Sequence, residues 1–176
     1  MTKRISQNEI DKLYEKWKTP DHVKAHCKAV SDVGVKLASE LNKHGYNLDL
    51  DLIRGTGLVH DVARIYDAHD ELGYKILSEE GYVDEANIVK VHMRYPKYNS
   101  VENLNETDII CLSDIVVIEG KYAGLDARID YIINKMTEKA PERIRLILIK
   151  KEEIRKLMNQ ITEIIGKTFD EMFLDD

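Results

Sequence analysis

Cysteine is scarce in this chain. Only Cys27 and Cys111 occur, in no CxxC pair and at no zinc-finger spacing, so a disulfide framework is excluded. Both sit in apolar helical patterns and are expected to be reduced, buried thiols. Long apolar runs are missing too: nothing reaches the roughly 18 residues of a membrane-spanning helix. The first ten residues, "MTKRISQNEI", lack the apolar core of a signal peptide, and a cytoplasmic protein is the expectation. Positive charge is in deficit, with a net charge of −6, which argues against a protein that grips nucleic acid backbone. A small phosphorylated substrate stays open, because a local metal or arginine pocket overrules the global sign. There is no internal repeat, no low-complexity segment and no Gly/Ser linker, so the 176 residues are expected to form one domain with a core of its own.

What is present is helical periodicity. Ser6 with Glu9 makes a capping-box pattern ahead of Ile10, Leu13 and Trp17. After "KTPDH", where Thr19 is expected to cap and Pro20 to take the first helical position, Val23, Cys27, Val30, Gly34, Leu37 and Leu41 recur at alternating steps of four and three. A third helix is predicted from about Asp49 towards Asp61, a fourth in "HDELGYKILSEEG" and a fifth in "DEANIVKVHM". The β-branched stretch "TDIICLSDIVVIEG" could pass for a strand, but no partner strand is evident, so it is expected to be helical. Amphipathic stretches follow from Leu125 to about Lys139 and from Pro141 to about Phe173, the second expected to break once. The predicted fold is a single all-α domain of about seven to nine helices.

Several of these helices carry a metal-capable side chain on the face that should be core. His26 lies in line with Val30, Val33 and Leu37; His60 and Asp61 interrupt "GLVHDVAR"; His92 shares a face with Ile88; Asp114 sits between Ile110 and Val117. A buried carboxylate needs a positive partner, and no Lys or Arg lies within a turn of Asp114. Each histidine alone could be a hydrogen-bonded core residue. The ordered set His26, His60-Asp61 and Asp114 points instead to a divalent cation, whose ligands are neutral imidazoles and carboxylates.

That set resembles the signature H…HD…D of the HD superfamily of metal-dependent phosphohydrolases. "PDHVKAHCKAVSDVGVKLASEL" is similar to the family's first metal helix, "IRGTGLVHDVAR" to its "LLHDIGK" segment and "IICLSDIVV" to its "ADKLV" segment. The resemblance covers about residues 20–128, with a helical extension over 129–176. "HDELGYKILSEEGY" and "IVKVHM" further resemble subfamilies with an H…HD…H…H…D array. By that resemblance His26, His60, Asp61 and Asp114 hold one metal ion, and Asp61 bridges to a second ion held by His69 and His92. The ions implied are Fe, Mn, Zn, Ni or Co, one or two per chain. The "GYP" motif of the cyclic-dinucleotide phosphodiesterases is absent, and "HDVAR" replaces the "HDVVED" of the guanosine tetraphosphate hydrolases.

The implied activity is hydrolysis of a phosphoester or phosphoanhydride, with a nucleotide as the expected substrate, by a metal-activated water attacking phosphorus. Asp61 and Arg64 are the expected catalytic residues, Arg64 because its planar fork matches phosphate oxygens. Arg94, Tyr95 and Lys97 follow His92 as exposed loop groups or as the pocket mouth, while Arg128 either reaches phosphate or pairs near Asp114. His22 is a proton donor to the leaving group, an outer-shell partner or a solvated residue, and His44 is expected to serve its helix end. The alternative is a non-catalytic sensor that binds metal or nucleotide on the same fold. The apolar residues of "IRLILI" and "ITEII" could finish the core or form a homodimer interface.

Overall fold

A computed structural model describes residues 3–136 and 141–174. Among these residues there are nine α-helices: α1 (Gln7–Lys16), α2 (Asp21–Lys43), α3 (Leu50–Val59), α4 (His69–Glu79), α5 (Val83–His92), α6 (Glu106–Asp114), α7 (Leu125–Met136), α8 (Ile144–Ile165) and α9 (Phe169–Phe173). Single 3-10 turns stand at Val101–Asn103 and Pro141–Arg143. The end of the seventh predicted helix, at Lys139, lies outside the described residues. No helix among the described residues is long and apolar enough to cross a membrane.

The helix starts follow from local chemistry. Ser6 and Glu9 form the expected capping box of α1, and Asp49 caps α3 by accepting from the Leu52 amide at 2.9 Å. Asn105 and Asp108 form a second capping box, at α6. One start differs from expectation: Pro20, not Thr19, is the N-cap of α2. Thr19 is buried and its hydroxyl donates to the Val62 carbonyl at 2.8 Å, so its hydrogen-bonding capacity goes to a tertiary contact. The last long stretch breaks at Gly166, whose φ of 76° ends α8 in the left-handed conformation that glycine adopts freely.

The stretch after α6 is the other departure. Its helix stops at Asp114, and Val117–Ile118 pairs antiparallel with Lys121–Tyr122 as a two-residue hairpin, β1 and β2, in the register Val117↔Tyr122. The β-branched residues thus serve both elements, helix first and hairpin second.

Two apolar clusters meet along α3. Leu52 and Ile53 join α2, α6, α7, α8 and α9 in the larger cluster, whereas Leu58 and Val59 join α1, α4 and α5 in the smaller. Truncating a fully buried member such as Leu37 to alanine would cost about 2–5 kcal/mol. The helices approach closely where side chains are absent: a Cβ at Gly57 would lie 2.6 Å from the Ser31 Cα, so the α2 and α3 backbones are in contact there. In α8, Ile154, Leu157, Ile161 and Ile165 complete the core, but Leu146, Leu148 and Ile149 stand exposed.

Candidate metal centre and the cleft above it

The polar cluster forms where α3 ends between the two apolar clusters. Beyond Val59 the chain tightens into turns, with Val62 N donating to Val59 O at 3.0 Å and Arg64 N to Asp61 O at 2.9 Å. Thr19 and the Tyr14 hydroxyl satisfy the freed carbonyls of Val62 and Leu58. This tight end lets two adjacent side chains, His60 and Asp61, face one region. A regular helix would point them about 100° apart.

His26 from α2 and Asp114 from the last turn of α6 meet on one side, with His26 Nε2 3.0 Å from Asp114 Oδ1. On the other side, Asp61 Oδ1 lies 3.2 Å from His69 Nε2 and 3.5 Å from His92 Nε2. His60 stands between them, its ring centroid 5.3 Å from that of His26 and 5.2 Å from that of His92. All six residues proposed as ligands therefore come together. Two groups have ligand atoms within 4.8 Å of one another: His26, His60 and Asp114; and His60, Asp61 and His92.

The imidazoles are oriented by backbone. His60 Nδ1 pairs with the Gly57 carbonyl at 2.8 Å and His92 Nδ1 with the Val89 carbonyl at 2.6 Å. A ring nitrogen facing a carbonyl carries the proton, so in the neutral ring each Nε2 holds a lone pair directed at the cluster. Without a cation, the burial of His92 is outweighed by Asp61, which raises its pKa. His60 Nε2, His92 Nε2, Asp61 Oδ1 and Asp114 Oδ1 are buried and make no aligned hydrogen bond. Four orphaned acceptors converging in one buried place fit a divalent cation.

Protonation follows the same pattern. Burial lowers the pKa of His60 and keeps its ring neutral. Burial disfavours the charged form of Asp61, but His60, His69, His92 and the Arg64 guanidinium around it hold its carboxyl well below the usual range. Asp114 behaves likewise: His26, His60 and Arg128 outweigh its burial and lower its pKa. Arg128 Nη2 lies 3.5 Å from Asp114 Oδ1, so the cation missing from the sequence neighbourhood of Asp114 is supplied by α7.

Arg64 is the exposed member of this surround. Its Nη1 donates to His69 Nε2 at 2.9 Å, and its Nε lies 3.7 Å from Asp61 Oδ2. A cation at His69 Nε2 and this hydrogen bond exclude each other, since both use the same lone pair.

Above the cluster opens a cleft of about 1170 Å³. His26, Asp61, His92 and Asp114 reach its floor, Arg64 and His22 stand on its near side, and Tyr95, Tyr98, Glu119 and Arg128 continue the wall. The loop bearing the tyrosines is tied down by Asp108, fully buried, which accepts from Tyr95 Oη at 2.8 Å, Asn99 N at 3.0 Å and Asn99 Nδ2 at 2.8 Å. Arg94 and Lys97 are exposed and off the cleft lining, and His44 is the exposed C-cap residue of α2. Sequence reasoning missed the far wall: Tyr131 and Lys135 of α7, and Arg143, Ile147 and Lys150 in and beside α8. A signal was present, because residues 143, 147, 150 and 154 follow steps of four, three and four.

The family model for the HD domain matches residues 23–118, a stretch that holds all six His and Asp residues of the cluster and ends before α7. An uncharacterized protein of Methanocaldococcus jannaschii is 27% identical over 154 residues, covering 78% of this chain and 90% of that protein. No solved structure matches.

Proposed function

The chain belongs to the HD domain family, the superfamily of metal-dependent phosphohydrolases, and on that premise we propose that it hydrolyses a phosphoester or phosphoanhydride bond of a small phosphorylated substrate, a nucleotide, at the His/Asp cluster. The observation that carries this reading is the convergence of His60 Nε2, His92 Nε2, Asp61 Oδ1 and Asp114 Oδ1, buried and without hydrogen-bond partners, at the floor of an open cleft.

His26, His60, Asp61 and Asp114 are the residues assigned to a first divalent ion, and His69 and His92, with Asp61 shared, to a second. When bound, such an ion supplies Lewis acidity, lowering the pKa of water to about 7 and polarising a phosphoryl oxygen. The protein contributes the rest. His60 and His92 are held in the tautomer that presents Nε2, so no reorganisation is needed on binding. Asp61 and Asp114 are ionised throughout the neutral range. Arg64 is partly exposed at the cleft, where its guanidinium can turn from His69 to phosphate oxygens in bidentate fashion. Arg128, against Asp114, offers a second positive group on the opposite side of the floor.

The test is elemental analysis of protein purified without chelator or metal-binding tag, followed by phosphate release from a panel of nucleotides. At least one transition-metal ion per chain, with turnover abolished by chelation and restored by metal, is the expected result. A chain that takes up no Mn, Fe, Ni, Co or Zn would return the cluster to the core and end the reading.

A further inference from the structure

The far wall of the cleft comes from residues beyond the matched stretch. Arg143, Ile147, Lys150 and Ile154 all line the cleft and share one face of α8 and the turn before it. At 1.5 Å per residue, Arg143 and Lys150 stand about 10 Å apart along that face. Lys150 is fixed at the inner end, its ammonium donating to the Tyr95 carbonyl. From the facing helix Lys135 adds a third cation, its Nζ 4.1 Å from the centre of the Tyr131 ring.

The helix sorts its charges by direction. Lys151 and Arg155, turned away from the cleft, are neutralised by Asp126 at 2.5 and 2.7 Å. Among the described residues no carboxylate pairs with Arg143, Lys150 or Lys135. In a chain of net charge −6, the described residues thus set a row of positive charge without a paired carboxylate along one side of a cleft whose lining beyond the floor includes one acid, Glu119. Its volume, about 1170 Å³, also exceeds the roughly 300–1,000 Å³ of an ordinary small-molecule pocket. A single phosphate over Asp61 and Asp114 would leave the row untouched.

We infer that Arg143, Lys150 and Lys135 form a second anion subsite, which takes the distal phosphates of a polyphosphate chain whose reacting phosphorus lies over the His/Asp floor. The inference rests on the phosphohydrolase reading and narrows it: the substrate carries a chain of phosphates rather than a single phosphate. Lys150 binds nearest the floor, and Arg143 and Lys135 hold the outer end.

The experiment is calorimetric titration of the metal-loaded full chain with inorganic tripolyphosphate and, separately, with orthophosphate. Wild type and the variants Arg143→Gln, Lys150→Gln and Lys156→Gln are compared at equal metal loading, so that the chelating power of tripolyphosphate cancels from one variant to the next. Tripolyphosphate is expected to bind wild type about 1,000-fold more tightly than orthophosphate, each of the three charge-assisted contacts supplying about tenfold. Arg143→Gln and Lys150→Gln should each lose about tenfold for tripolyphosphate and keep their orthophosphate affinity. Lys156→Gln makes the same charge change on the exposed side of α8 and should lose nothing. Equal affinities for the two anions, or losses as large in Lys156→Gln, overturn the subsite; intact turnover of a small phosphomonoester would then leave the function standing. A chain that hydrolyses nothing, yet discriminates the anions through Arg143 and Lys150, fails as a phosphohydrolase and keeps the subsite.

Discussion

Glu85 and Asp61 are both buried carboxylates, one on α5 under the N-terminal segment and the other at the end of α3, and their surroundings drive them in opposite directions. Glu85 is 0% exposed; its Oε1 accepts from the Ile5 amide at 3.3 Å and its Oε2 has no partner. Burial therefore pushes its carboxyl above the ordinary value. Asp61 is 7% exposed, yet three imidazoles and a guanidinium keep it charged. Burial alone does not decide ionisation. The neighbours do: imidazoles and a guanidinium surround Asp61, whereas an amide and an apolar wall surround Glu85.

The sharpest way to break the comparison is Asp61→Ala. Metal affinity and turnover should each fall by more than about 100-fold, while His44→Ala, at an exposed helix end, changes neither. Full activity in the Asp61 variant would falsify the assignment. Removing the metal from intact protein comes next. With free metal at 100 times its dissociation constant, chelation should lower stability by about 2.7 kcal/mol, read as a drop in Tm.

Glu85→Gln tests the other side. A group whose folded pKa is raised opposes folding increasingly as pH climbs above its unfolded value, 4.5. The variant should match wild type below that pH and exceed it by about 1 kcal/mol at neutral pH, in urea melts across the range. The smallest effect belongs to an exposed, paired acid. Asp126, held down to about 2 by hydrogen bonds from Arg155 and Lys151, contributes stability present above its unfolded pKa of 3.8 and lost as pH falls through 2. Asp126→Asn should cost only a few tenths of a kcal/mol, and only above pH 4 or so.

How much of this was legible in the sequence depended on range. The stripe from Val23 to Leu41 and the Ser6–Glu9 cap were legible because each is settled within a few residues. The inward histidines were legible as exceptions to that same periodicity. Thr19 was misread because its partner, Val62, is remote in sequence, and a capping pattern records only the near alternative. The hairpin after α6 was missed because two residues pairing with two leave almost no periodicity. Pairing near Asp114 was one of the two readings of Arg128, and it is the one the structure shows; the cleft's far wall from α8 was missed, since a helical pattern says which face is turned inward but not what lies opposite.

Gly57 touches no proposed substrate and offers no ligand. Its missing side chain nevertheless sets how far apart α2 and α3 run, because Ser31 backbone occupies the place of a Cβ. One turn later α3 delivers His60, whose Nδ1 proton goes to the Gly57 carbonyl itself, and just over one turn earlier than Ser31 α2 delivers His26. The gap between the two imidazoles is therefore a gauge cut by two backbones rather than by flexible side chains. The room between these two rings is then set at a helix crossing, by a methyl group that is not there.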